Sequence, residues 1–287
     1  MAGTAPRFLI VGGTGLVGAA IRAGLSKRGA GVRATTRHCS TSKVPNIEWV
    51  RCDVCGGTLP ANLFAGIQRA FLMAPSGHVD QYSILSPLIL AAKRAGVERI
   101  VLMTAQGVDV SDEIPFRKAE LELRDAGVNF AILRPAWFMQ NFHTFWGEAI
   151  RRDGCIEVPA GKGKVVFVDT RDVAAVAEEL LMAGSVESCE IEVTGREVLD
   201  HTQAASILSD ATGHEIRYED IEPGRFLLKL IADGVSADYA ALIAAMFEEV
   251  RTGGPIHTTD HVQRLTGQAP RSLFSYGRDH SEQLRPR

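Results

Sequence analysis

The sequence is short of several things, and each shortage excludes a class of protein. No uncharged apolar run approaches the roughly 18 residues that cross a bilayer, so no membrane partner is expected. Net charge is almost absent: 31 Lys plus Arg against 34 Asp plus Glu leave −3. A chain so balanced exerts no general pull on nucleic acid or anionic lipid. Cysteine is scarce, with Cys39, Cys52, Cys55, Cys155 and Cys189 making five. An odd, scattered set argues against a disulfide framework and for reduced thiols in a cytoplasmic protein. Cys52 and Cys55 form one C-x-x-C, but a zinc knuckle needs a second pair and a redox pair usually opens a helix. Met1 to Arg7 lacks the basic-then-apolar shape of a secretory leader, so none is expected.

What is present reads as an ordinary globule, with 46% apolar and 23% charged residues. The 287 residues suit one large domain, or one with a smaller partner. Strand-like runs occur at Arg7–Val11, Gly31–Thr35, Ile47–Arg51, Ile67–Met73, Arg99–Thr104, Asn129–Leu133 and Glu190–Val193. Between them apolar residues fall at three-four spacing, as in Val17, Ile21 and Leu25, or Val173, Val176 and Leu180. This alternation predicts a parallel sheet with helices on both faces, and solid runs such as Phe8–Val11 suit strands buried on both sides. Past Gly195 the pattern turns mainly helical, over about 201–212, 224–232, 236–251 and 259–266, with one strand candidate at Glu215–Tyr218. The expected division is therefore 1–196 and 197–287, with 137–168 contributing to a substrate cleft.

The chemistry-bearing motif is Val11-Gly12-Gly13-Thr14-Gly15-Leu16-Val17-Gly18, between the first strand and the first helix. Glycine at position 12 permits the tight turn, at 15 lets backbone touch a pyrophosphate, and at 18 lets helix and strand pack closely. The helix N-terminus then offers free N–H groups and a positive dipole to phosphate. The expectation is a Rossmann-type doubly wound α/β domain holding a dinucleotide on Gly12, Thr14, Gly15, Leu16 and Val17. Ala74 and Pro135, just past the fourth and sixth strand candidates, complete the expected cofactor contacts.

NAD sites place an acidic residue at the end of the second strand, to bond the ribose 2′-hydroxyl. Here Val32-Arg33-Ala34-Thr35-Thr36-Arg37-His38 holds no carboxylate. Arg37 instead suits a 2′-phosphate, with Thr36 or Ser40 adding hydroxyls, so NADPH (NADP+) is the expected cofactor. Asp53, after the third strand, reads either as a partner of the adenine amino group or as a turn residue.

On these residues the chain resembles the NmrA-like branch of the atypical short-chain dehydrogenases, over nearly its whole length. The resemblance rests on the glycine loop, on Val97–Thr104, and most specifically on Leu133-Arg134-Pro135-Ala136-Trp137-Phe138-Met139-Gln140-Asn141-Phe142. Phe167–Ala174 and Leu265–Leu273 add to it. The W-F-M-x-N-F stretch is similar to reductases of quinones and of ergot-alkaloid iminium intermediates. The resemblance implies a Rossmann domain, NADPH, and a small-molecule substrate held between two domains.

The sequence departs from the broader superfamily in two places. None of Tyr82, Tyr218, Tyr239 and Tyr276 has the lysine four residues on that would make a proton-donating Tyr-x-x-x-Lys. Relatives often keep a lysine or histidine four residues before a glutamate; here the glutamate aligns with Glu120 and the position is Phe116. Phe116 reads either as a packing residue, in stripe with Ala119 and Leu123, or as a ring lining the nicotinamide pocket. Thr104, ending strand five, reads as a hydroxyl that bonds a substrate oxygen or, as a cofactor contact, the nicotinamide amide, or else as a strand-terminal residue bonded to backbone. Trp137, Phe138, Phe142, Phe145 and Trp146 form an aromatic cluster, in which Phe138, Phe142 and Phe145 follow helical spacing. Part of this cluster is expected in the core and part over a flat substrate, with Asn141 as polar handle.

His257 and His261 stand four apart, but Thr258-Thr259-Asp260 reads as a helix start that separates them, so no metal is expected. The expected activity is NADPH-dependent hydride transfer to a flat, electron-poor quinone, enone or cyclic imine, of the kind found in secondary metabolism. Thr104 and Asn141 are the candidate catalytic residues, and Phe116, Trp137, Phe138, Asn141 and Phe142 the candidate substrate contacts. The rival reading is a non-catalytic NADP-sensing regulator of the NmrA type. Monomer and homodimer are equally compatible with the sequence.

Overall fold

The computed structural model describes residues 7–38, 45–56, 58–184, 187–254 and 256–286. In chain order the elements begin with β1 (Phe8–Ile10), α1 (Leu16–Lys27), β2 (Val32–Thr36), β3 (Ile47–Arg51) and β4 (Arg69–Met73). There follow α2 (Gln81–Arg94), β5 (Arg99–Met103), α3 (Pro115–Asp125) and β6 (Asn129–Pro135). Next come β7 (Trp137–Phe138), α4 (Gly147–Asp153), β8 (Cys155–Val158), β9 (Lys164–Val168), α5 (Thr170–Met182) and β10 (Cys189–Val193). The chain ends with β11 (Val198–Asp200), α6 (His201–Thr212), β12 (Arg217–Asp220), α7 (Pro223–Ala232), α8 (Ala237–Thr252), α9 (His261–Thr266), α10 (Leu273–Asp279) and α11 (Ser281–Leu284).

The chain forms two compact units. The first takes Met1–Pro135, Arg171–Val193 and Arg264–Gly267, and the second Ala136–Thr170, Thr194–Gln263 and Gln268–Arg287. The division is thus discontinuous, where the sequence suggested one boundary after residue 196. Residues 136–170 leave the first unit, and α5 and β10 return to it.

In the first unit seven parallel strands run in the order β10-β6-β5-β4-β1-β2-β3, the reversal at β1 and β4 being that of a doubly wound Rossmann-type sheet. All seven coincide with expected runs, within a residue or two. The central strands β1, β4 and β5 are apolar apart from Arg69 and Arg99 at the starts of β4 and β5, because helices cover both faces, and every residue of β1 and β5 is buried. Leu9, Leu72, Ile100 and Ile132 pack with Leu85, Leu88 and Leu123 into one core.

The second unit holds two small sheets beside its helices: β11-β9-β7, and β12 paired with β8. β7, β8 and β9 lie before the mainly helical stretch and were not among the expected strands, and within that stretch only the short β11 was not foreseen. Several are two to four residues long and pair with partners remote in sequence. The expected Glu215–Tyr218 strand appears shifted, as β12, in parallel with β8. Phe138, Phe142 and Phe145 do not share a helix. Phe138 lies in β7, Phe142 ends a short 3-10 turn over Met139–Phe142, and Phe145 is 41% exposed.

Candidate functional site: a glycine loop and a buried polar network

The strand-to-helix turn is built by four hydrogen bonds, three of them backbone to backbone and one to a side-chain hydroxyl. Val11 N–H donates to the Phe71 carbonyl at 3.0 Å, and Gly13 N–H to the Thr35 carbonyl at 3.1 Å. Gly12 N–H donates to Thr35 Oγ1 at 2.9 Å, and Gly15 N–H to the Gly12 carbonyl at 2.9 Å. Gly12 has φ +72°, which glycine alone adopts without strain. A Cβ on Gly18 would overlap the Gly12 carbonyl oxygen, and one on Gly13 would lie 2.7 Å from Ala34 Cβ. The loop therefore folds tightly against β2 only because these side chains are missing.

Gly15 caps α1 with no side-chain hydrogen bond, so the first N–H groups of the helix face outwards with the positive end of its dipole. Thr14, Gly15 and Leu16 are exposed, whereas Val17 packs into the core and has only its N–H to offer. This is an open anion cradle, and a dinucleotide pyrophosphate fits it. Two residues that the sequence did not single out hold it in place. Thr35 supplies the anchors just described, and Arg22 donates to the Gly13 carbonyl at 3.2 Å while stacking 4.9 Å above the Trp49 ring. Ala74 and Pro135 are buried, and the Pro135 carbonyl already accepts from Gln106 N–H at 3.0 Å.

At the C-terminal end of β2, Arg37 stands exposed on a bend. Thr36 is buried and its Oγ1 accepts from His38 N–H at 3.2 Å, and Ser40 lies outside the described residues. Asp53 Oδ1 accepts from Cys55 N–H at 3.1 Å, the geometry of an Asx turn, which supplies its turn role. Cys52 and Cys55 are both free thiols. Burial first, and then the Asp53 charge, push both of them above the ordinary thiol range, which leaves them poor nucleophiles.

Thr104 is turned inwards. Its hydroxyl donates to Glu120 Oε1 at 2.7 Å, and the residue is 4% exposed. The proton proposed for a substrate oxygen is thereby committed, and only a lone pair remains to be offered. Glu120 is fully buried and takes three further donors: Arg134 Nε at 2.9 Å, Arg134 Nη2 at 2.6 Å and Arg117 Nη1 at 3.0 Å. Arg134 also reaches Asp109 at 2.9 Å and Glu190 at 2.8 Å. The bond to Glu120 holds its guanidinium well above its usual range, against the cost of burial. Phe116 packs against the core of the first unit, so the packing reading of that ring is the one its surroundings support.

In the second unit Phe142 is fully buried, with Trp146 and Phe167 each 5.0 Å away between centroids. It is core and has no surface for a substrate. Trp137 and Phe138 are half-buried, the former 5.0 Å from Phe247. Asn141 is also half-buried, and its side chain makes no hydrogen bond among the described residues. Gln140, not singled out from the sequence, is buried and ties this turn down, donating to Asp169 Oδ1 and accepting from Thr170 N–H, both at 3.0 Å. His201 sits among the Trp146, Phe167, Tyr218 and Phe247 rings, and neither ring nitrogen has a hydrogen-bond partner among the described residues. Cys155, Glu157 and Glu219 approach one another, but Lys229 and Arg152 already pair with Glu157, and burial raises the Cys155 thiol.

An uncapped helix behind a glycine turn, at the head of a doubly wound parallel sheet, defines a Rossmann-type nucleotide-binding protein. More narrowly, the chain belongs to the NmrA-like family, whose model matches residues 4–276. It is 31% identical over 275 residues to the uncharacterized oxidoreductase YesF of Bacillus subtilis (strain 168), covering 96% of this chain and 95% of that one. It is 29% identical over 287 residues to festuclavine dehydrogenase easG of Aspergillus fumigatus, covering 94% and 96%. Among solved structures, the NADPH-dependent quinone oxidoreductase QOR2 of Escherichia coli, complexed with NADPH, aligns with a TM-score of 0.80 at 22% identity. That alignment covers 95% of this chain and 99% of the other, and it bears on the fold.

Proposed function

We propose that the protein is an enzyme, an NADPH-dependent reductase of a small, flat, electron-poor substrate: a quinone, an enone or a cyclic imine. The observation that carries the cofactor assignment is the open cradle at Thr14, Gly15 and Leu16, with Arg37 in place of the carboxylate an NAD site needs. The similarity to proteins named as oxidoreductases supports it. Bound NADPH supplies the hydride, and the protein supplies orientation and exclusion of water. Thr14, Gly15 and Leu16 hold the pyrophosphate on backbone N–H groups, and Arg37 pairs with the 2′-phosphate.

The substrate class follows from what the chain does not provide. No tyrosine has a lysine four residues on, Phe116 replaces the basic residue of relatives, and the Thr104 proton is held by Glu120. A ketone needs a proton on its developing alkoxide, and loss of a positioned acid forfeits roughly 10²–10⁴ in rate. An iminium is already cationic, and a quinone or enone spreads the charge it acquires. Trp137 and Phe138 keep ring surface for a flat substrate, and Asn141 keeps a free amide to hydrogen-bond it. A rate comparison across quinones, enones, cyclic imines and simple ketones tests this, and efficient reversible oxidation of plain alcohols would overturn it. Tight NADPH binding with no turnover in any class would favour a regulator that senses the cofactor.

A further inference from the structure

We infer that Arg51 is a second specificity residue for the cofactor, closing on the 2′-phosphate from β3 while Arg37 closes on it from β2. This rests on the reading of NADPH as cofactor and adds a residue to it. Successive side chains of a strand point to opposite faces, so Ile47, Trp49 and Arg51 share one face of β3. The Arg22 cation over the Trp49 ring identifies that face as the one covered by α1. Strand register agrees: Ala34 pairs with Trp49 and Thr36 with Arg51, and Ala34 Cβ abuts Gly13. Arg51 therefore lies at the C-terminal end of β3, on the face that carries the glycine loop, directly beside the residue that precedes Arg37.

The electrostatics of this corner favour a dianion. Arg37 and Arg51 are both exposed, and neither makes a hydrogen bond or ion pair among the described residues. The one carboxylate on β3, Glu48, is out of phase with Arg51 and is tied to Arg33 on the opposite face, at 3.0 and 3.1 Å. Asp53, two residues further on, has a carboxylate oxygen engaged by Cys55 N–H. Two exposed guanidinium groups, one at the end of β3 and one just past β2, neither paired among the described residues, offer a phosphate two planar forks. A ribose bearing only hydroxyls gains nothing comparable from the second one.

The test is calorimetric titration of NADP+, NAD+ and 2′,5′-ADP into the parent protein, Arg51→Ala, Arg51→Lys and Arg37→Ala. Arg51→Ala is expected to weaken NADP+ and 2′,5′-ADP by about tenfold or more, the scale of a charge-assisted hydrogen bond, and to leave NAD+ within about twofold. Arg51→Lys is expected to restore part of the loss, because a point charge replaces a fork. Equal weakening of NADP+ and NAD+ would overturn the inference, since it would mark Arg51 as a general contributor to the field. Loss of NADP+ affinity in Arg37→Ala with none in Arg51→Ala would overturn it while leaving the cofactor assignment standing. A parent protein that binds NADP+ and NAD+ alike, or binds neither, would overturn both.

Discussion

Thr104 and Glu120, sixteen residues apart in the chain, are joined by a 2.7 Å hydrogen bond in which the hydroxyl is the donor. The carboxylate can only accept, so the direction of this bond sets what Thr104 has left for anything else: a lone pair. A residue placed where the superfamily often has a catalytic hydroxyl is here a strut between β5 and α3.

The first prediction follows directly. Thr104→Val should lower stability by about 1–3 kcal/mol, because one acceptor site of a buried carboxylate is left unfilled. Turnover should change by less than about tenfold, against the 10²–10⁴ expected if the hydroxyl were the acid. Thermal unfolding and steady-state rates on the same preparations check both.

Glu120→Ala should be far more damaging. It strips Arg134 and Arg117 of their shared buried acceptor, and breaking a buried ion pair costs about 3–5 kcal/mol. Asp109 and Glu190 still hold Arg134, which places the expected loss nearer the lower figure. Urea midpoints of the variant and parent measure it.

The glycine loop yields a contrast between two neighbouring positions. A Cβ at Gly15 meets only the Gly12 carbonyl oxygen, at an ordinary 3.4 Å, and φ is −78° there. Gly15→Val should therefore fold, yet fill the space of the pyrophosphate and abolish NADPH binding. Gly18→Ala should instead destabilise the unit, since its methyl meets backbone that cannot move aside. Circular dichroism melts beside fluorescence titration of NADPH separate the two outcomes.

Stability should depend on pH through His201. Burial among aromatic rings pushes its imidazole down to about 4, with the Asp200 charge opposing only in part. Above the unfolded value near 6.5 the ring is neutral in both states and contributes no pH dependence. Between 6.5 and 4 the unfolded chain binds a proton that the folded one refuses, so stability falls as pH falls, by on the order of 3 kcal/mol. His143, pushed down to about 4 by burial and by His280, adds to the same loss. His201→Phe should remove the His201 share of this loss and make the profile of unfolding free energy between pH 7 and 4 shallower, measured by denaturant titration.

The sheet of the first unit was legible because its strands carry solid apolar runs separated by helical spacing, as with Phe8–Ile10 and residues 100–103 of β5. The glycine loop was legible because each glycine answers a local steric demand. The second unit was less so: the two residues of β7 carry no periodicity, and their pairing with β9 depends on a return of the chain some thirty residues later. Phe142 shows the same limit. Its spacing from Phe138 and Phe145 is compatible with a helix, with a 3-10 turn and with burial in a core, and only packing against Phe167 decides. The partner of Thr104 was hidden for a different reason: a donor's direction depends on an acceptor brought in by tertiary structure.

Thr35 has a consequence for how this protein can change. Its carbonyl and hydroxyl clasp the loop, and two residues on, outside the ladder, stands Arg37. If Arg37 selects the coenzyme as proposed, anchorage and selection lie two residues apart but are chemically independent. Substitution at Arg37 leaves both clasps intact, whereas a one-residue slip of β2 would forfeit them together. On the proposed role of Arg37, coenzyme preference is an exchangeable trait in this scaffold, open to replacement without rebuilding the turn, while the register of β2 is the part that admits no drift.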